Sequence, residues 1–178
     1  GFELGALNKK LLEKVEELRS FCPEIALSTD VIVGFPGETE ADFEETMSLL
    51  ETVRFHGSFS FKYSDRPGTR SASFPDKVEE QVKSRRLERF QQRQDEISLE
   101  RNHEVIGKSV EVMVEGRGES GVQGRTGSNH VVHFAGPDNL QPGELAMVTV
   151  NHAGQHSLRG DSILMPVCRA DQELSTIS

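Results

Sequence analysis

The sharpest chemical signal in the chain is the string Thr29-Asp30-Val31-Ile32-Val33-Gly34-Phe35-Pro36-Gly37-Glu38-Thr39. A β-branched run empties there into a Gly/Pro turn, and Thr39 with Asp42 three positions on forms a capping box that opens a helix. In α/β folds ligands bind at the carboxyl ends of parallel strands, where glycines let the backbone approach and helix N–H groups point outward. The pattern predicts a small-molecule site, with a plain tight turn as the even alternative for Gly34 and Gly37. Glu38, Glu40 and Asp42 crowd the same helix start, complement its dipole, and so argue against a phosphate there. A second turn, Tyr63-Ser64-Asp65-Arg66-Pro67-Gly68-Thr69, presents Arg66 as a bidentate donor for a carboxylate or phosphate. Its plainer role is a surface ion pair with Asp65 or a helix acid, worth about 0–1 kcal/mol.

A third group of donors, Arg125, Asn129, His130, His133 and Arg159, falls near expected turns of the second half, with Lys108 and Arg117 as outlying cations. Phosphate contact needs such donors, and a ring such as Phe134 can stack a base, although an aromatic in an alternating strand is more often core. His130, His133, His152 and His156 have no acidic partner at catalytic or metal spacing and read as surface groups. Cys22 and Cys168 sit near opposite ends, which makes neither a disulfide framework nor a ligand set, so no iron–sulfur or zinc site is expected from this chain.

Composition limits the partners. Against 29 Asp+Glu there are 20 Lys+Arg, a net charge of -9, so nucleic acid or anionic lipid must be met through a local patch. Apolar runs stop after a few residues, far short of the roughly 20 that span a bilayer, and no leader pattern opens the chain. A soluble, cytoplasmic protein without a membrane partner is expected.

The elements that must position these residues follow from periodicity. Leu11, Val15 and Leu18 after Asn8 predict a capped amphipathic helix ending at Cys22-Pro23. Ile25–Phe35 reads as a strand buried on both faces, the mark of a parallel sheet. Phe43, Met47 and Leu50 mark the helix after Thr39, to about Arg54, and Gly57–Tyr63 alternates as a second strand, completing a βαβ unit with an expected right-handed crossover. From Asp76 to about Asn102 a charged helix carries a narrow apolar stripe, Val78, Val82, Leu87, Phe90 and Ile97. Beyond Gly107 the runs VEVMVEG, HVVHF, LAMVTVN and SLRGDSIL predict a small antiparallel barrel of about five strands. The expected division is 1–104, 105–166 and a frayed tail, 167–178, with neither half basic.

The two turn strings together resemble the end of the radical S-adenosylmethionine barrel of the methylthiotransferases, in which VGFPGET and Y-S-x-R-P-G-T follow two successive barrel strands. The string Gly124-Arg125-Thr126-Gly127-Ser128-Asn129-His130-Val131-Val132-His133-Phe134, with Ser157-Leu158-Arg159-Gly160, resembles the TRAM domain, a small RNA-binding barrel, of the MiaB-type tRNA enzymes. The likeness runs in order over roughly residues 8 to 165. Asp65 stands where the family usually has Pro, and Gly127 and His130 stand where TRAM loops often carry Arg or Lys.

The fold this implies is α/β plus all-β: the C-terminal part of a radical-SAM, partial TIM-like barrel followed by a TRAM barrel. The resemblance further implies that Ile32, Gly34 and Phe35, closed in by Phe61 and Tyr63 and with Arg66 in reach, face S-adenosylmethionine. For Ile32, Phe59 and Phe61 taken singly, barrel core is the plainer role. Lys108, Arg125, Asn129, His130 and Arg159 would face the anticodon region of a tRNA. No catalytic or metal residue is expected in this chain. The two 4Fe-4S clusters of the full-length enzyme, itself expected to be monomeric, would be ligated elsewhere. The implied activity is methylthiolation of an isopentenylated adenosine beside the anticodon. A sister enzyme acting on a ribosomal protein and a non-catalytic RNA-binding module are the alternatives.

Overall fold

The computed structural model describes residues 4–118 and 121–163, which divide after Glu104 into two compact units. The first unit is built from α1 (Leu4–Phe21), β1 (Ser28–Val33), α2 (Glu40–Val53), β2 (Gly57–Lys62), a 3-10 turn (Arg70–Ser73) and α3 (Glu80–His103). Helix α1 begins by Leu4, so Asn8 lies inside it and is not its cap. The Thr39 capping box forms as expected: Thr39 Oγ1 accepts from the Asp42 amide and the Asp42 carboxylate accepts from the Thr39 amide. Helix α2 ends at Arg54, which takes the left-handed conformation and donates its N–H to the Leu50 carbonyl.

Strands β1 and β2 pair in parallel, from Ser28 opposite Gly57 to Val33 opposite Lys62. Their helix-facing side joins a core of Val15, Val33, Phe43, Met47, Leu50, Val53, Phe55, Phe90 and Ile97. The other side departs from expectation. Ile32 is 56% exposed, Phe59 68% and Phe61 56%, so β1 is not buried on both faces and these three side chains are not core. Strand side chains alternate, and among the described residues the two-stranded sheet is covered on one side only.

Helix α3 starts at Glu80, not Asp76, whose carbonyl instead accepts the Gly37 N–H at 2.7 Å. Its buried residues are Arg86, Phe90, Gln94, Ile97 and Asn102, three of the five polar. Toward α2 it presents Arg86, Arg89 and Arg93 to Glu40, Glu44 and Glu51. Part of what the sequence shows as a charged helix is therefore a ladder of ion pairs between two helices. No described helix is long and apolar enough to cross a membrane.

The second unit is a closed barrel of β3 (Ser109–Gly118), β4 (Gly121–Thr126), β5 (Val131–Ala135), β6 (Leu145–Ala153) and β7 (Ser157–Ile163), in the order β3-β4-β5-β7-β6. It is not wholly antiparallel: β5 and β7 run parallel, Val131 opposite Ser157 through Ala135 opposite Asp161. The interior holds Val112, Val114, Val122, Val132, Phe134, Val148, Val150 and Leu158. Glycines permit the tight closure, since a Cβ on Gly124 or Gly160 would lie 2.3 Å from Met113 O or 2.2 Å from Thr149 O. Cys168 and the tail 167–178 lie outside the described residues.

Candidate functional site

The turn after β1 is set by its own residues. Gly34 has φ +72° and Gly37 φ +87°, conformations that glycine adopts without strain. A Cβ on Gly34 would also fall 2.1 Å from Cγ of Lys83, whose stem lies over that position. Glu38 folds back into the turn: its Oε2 accepts from the Gly34 amide at 2.7 Å and from the Phe35 amide at 3.3 Å, while its Oε1 accepts from Arg86 at 2.8 Å. The donors that could have cradled an anion are occupied by a carboxylate of the chain itself. Arg86, 4% exposed, also reaches Glu40, so a desolvated guanidinium joins α3 to both the turn and the start of α2.

The expected cofactor residues separate into two groups. Ile32 and Phe61 stand opposite each other on the open face of the sheet, at the carboxyl ends of their strands. Phe35 and Tyr63 instead make an edge-to-face pair, centroids 5.1 Å apart, and Phe35 makes another with Phe74 at 6.2 Å. The Tyr63 hydroxyl donates to Asp65, which also pairs with Lys77, and both bonds hold the Asp65 carboxyl below its ordinary range, Lys77 foremost. Asp65 is thus engaged by Lys77 and not by Arg66, which is exposed and has no ion pair among the described residues.

In the barrel, Arg125 and Asn129 do come together: the guanidinium donates to Asn129 O and Oδ1 at 3.3 and 3.2 Å. It also pairs with Glu115 at 2.8 Å, a partner not anticipated from sequence. His130 is half-buried; burial pushes its pKa down, and Ser128 Oγ lies 2.8 Å from its Nδ1. Phe134 is 2% exposed and belongs to the core. Arg117 is tied to the carbonyls of Gly136 and Pro137 and to Asp138. Arg159 stands apart from this loop, opposite His133 of β5 and His152 of β6. Lys108 is exposed ahead of β3.

No protein-family model matches the chain. Individual proteins do. It is 59% identical over 152 residues to the tRNA-2-methylthio-N(6)-dimethylallyladenosine synthase of Desulfotalea psychrophila, a match covering 85% of this chain and 34% of that protein. Proteins of the same name from Syntrophobacter fumaroxidans and Tropheryma whipplei match at 47% over 165 residues and 43% over 161. The chain belongs to the MiaB-type tRNA methylthiotransferases. It spans about a third of the length of these curated relatives and corresponds to their C-terminal part.

Within this MiaB-type portion, the residues that sequence reasoning missed are the ones that lock its turns. In the sequence Glu38 reads only as a dipole complement, and Arg86 and Lys83 are two among many charges of the helix after Asp76. Glu115 sat unremarked inside VEVMVEG. One signal was available for Arg86: it falls four before Phe90 on the buried stripe, so a charge there needs a buried partner.

Proposed function

We propose that this chain is the part of a tRNA-2-methylthio-N(6)-dimethylallyladenosine synthase that completes one wall of the S-adenosylmethionine site and holds the tRNA. The 59% identity over 152 residues to a protein of that name carries the reading, and the five-stranded closed barrel supports the RNA-binding half of it. None of the relatives above bears the name of a ribosomal-protein enzyme.

The residues fit the cofactor in a limited way. Ile32 and Phe61 offer exposed apolar surface suited to a flat adenine ring, whereas the Gly34 and Phe35 amides are already engaged by Glu38 and have no proton to give. Ile32 and Phe61 would therefore hold the cofactor by apolar contact, with Arg66 available to a carboxylate. When bound, S-adenosylmethionine supplies the radical and the methyl group of a methylthiolation. This chain's residues place it and keep water from its apolar end. The paired 4Fe-4S clusters belong to the complete protein, which would work in the cytoplasm on an adenosine next to the anticodon.

The test is a chimera in which residues 8–165 replace the corresponding stretch of the Desulfotalea psychrophila relative. Nucleosides from tRNA treated with the cluster-loaded chimera should include 2-methylthio-N6-dimethylallyladenosine. A folded, loaded chimera that leaves only the dimethylallyl nucleoside sinks the proposal.

A further inference from the structure

We propose that the nucleic-acid-binding surface of the small barrel is a row of outward side chains, Gln123, His133, Arg159 and His152, and that its occupant is a single strand of RNA. This rests on the tRNA-binding reading above and goes beyond it by assigning the face. The row is a register line: Gln123 of β4 is opposite His133 of β5, His133 opposite Arg159 of β7, and Arg159 opposite His152 of β6. Their strand neighbours Val122, Val132, Leu158 and Ala153 belong to the core, and the four themselves face outward, His152 just after a register shift in β6 that follows Val150. With strands about 4.8 Å apart the row crosses roughly 14 Å of the barrel wall, enough for a few successive phosphates.

The accounting of charge singles out this row. The described residues of the unit include the cations Lys108, Arg117, Arg125 and Arg159. Arg117 is spent on Asp138 and two carbonyls, and Arg125 on Glu115 and Asn129. Arg159 has no ion pair among the described residues and lies in the middle of the wall, while Lys108 lies in the connection before β3. None of the unit's described acids is in the row, and Asp161 flanks it on the same outward face of β7. Glu111 and Glu115 are on β3, Asp138 and Glu144 are in the β5–β6 connection, and Asp161 is two residues past Arg159, where Asn151 donates to its carboxylate. The row itself holds donors and imidazoles and no carboxylate, which is what a polyanion needs from a chain of net charge -9.

The experiment uses the full 178-residue chain and a fluorescein-labelled, adenosine-rich single-stranded RNA, with anisotropy read at roughly 50 mM salt and upward. Arg159→Ala should weaken binding about tenfold, with Arg159→Lys retaining most of it and circular dichroism unchanged. His152→Arg should tighten binding, and Arg125→Gln should change it by less than about twofold. A larger loss in Arg125→Gln than in Arg159→Ala overturns the row while RNA binding by the barrel survives. Failure of the parent chain to bind at all overturns the row and the RNA-binding reading together.

Discussion

Glu38 Oε2 lies 2.7 Å from the amide nitrogen of Gly34, so a side chain four residues downstream closes the turn that follows β1. The same carboxylate, through Oε1, neutralises Arg86, whose side chain is 5% exposed. A loop that looks built to receive an anion carries its own, and α3 is clamped to it.

Removing one partner of that clamp should be costly. Arg86→Met retains the volume but leaves the Glu38 carboxylate without its cation, and Glu38→Ala leaves two amides unanswered and the buried guanidinium with only the half-exposed Glu40 carboxylate and the residue-38 carbonyl. Breaking such a pair from one side costs about 3–5 kcal/mol. Each single variant should unfold at clearly lower urea, and the double variant should be less destabilised than the sum of the two. Additive losses would show that the pair is not coupled.

Gly34→Ala tests the same turn from the backbone. A left-handed non-glycine residue costs of order 1–3 kcal/mol, and the new methyl must also displace the Lys83 stem, 2.1 Å away. Lys83 would lose its bond to the Tyr63 carbonyl with it. Gly37→Ala, with nothing within 4 Å of its Cβ, pays only the backbone part. Thermal unfolding should rank Gly34→Ala below Gly37→Ala, and the reverse order would remove Lys83 from the account.

What the sequence made legible was local. The Thr39–Asp42 capping box needs only adjacent residues, and the alternation in HVVHF and LAMVTVN follows from one strand at a time. What it hid depended on partners far along the chain. Arg86 meets Glu38 48 residues away, and Gln94 donates to the Phe55 carbonyl 39 residues away, so their polar side chains masked a buried helix face. The parallel pairing of β5 with β7 is a property of barrel closure, and no strand declares it alone. Arg125 and Asn129 meet within one short loop, which nearness in sequence suggests, whereas the Arg125–Glu115 pair crosses from β4 to β3 and neither strand declares it alone.

Acid should weaken the first unit through exposed carboxylates on α3. Hydrogen bonds from Lys62 and then Lys83 lower the Glu80 pKa from 4.5 to about 2. A depressed acid stabilises the fold above its unfolded pKa and loses that contribution as pH falls through the folded one. The difference in unfolding temperature between the parent and Glu80→Gln should therefore be full at pH 6 and should shrink between about pH 4.5 and 2. A difference independent of pH would mean that Glu80 acts by packing.

The open sheet face should make the chain self-associate. Phe59 and Phe61 alternate along β2 with Ile32 across from Phe61, and all are more than half exposed. A contiguous apolar patch on a sheet with unpaired edges favours association. Phe59→Thr should cost under about 1 kcal/mol of stability, since little apolar area is removed from a buried environment. It should also lower the apparent mass in sedimentation at high concentration. A monomeric parent, or a variant that associates as the parent does, would show that this face is not sticky.

Arg125 offers a test by release. Its pair with Glu115 has both side chains over a third exposed, 37% and 35%, so the bond is worth about 0–1 kcal/mol and its loss should leave the barrel folded. Glu115→Gln removes a negative charge beside β4 and frees a guanidinium two residues along that strand from Gln123, at the end of the proposed RNA row. Binding of single-stranded RNA should tighten by about threefold, and the salt dependence should steepen by up to about 0.7 in log–log slope if the freed side chain takes one more phosphate. Tightening without a steeper slope would mean that only repulsion was relieved. Unchanged affinity in a folded variant would place the RNA away from the β3–β4 side of the barrel and confine its contacts to the strands around Arg159.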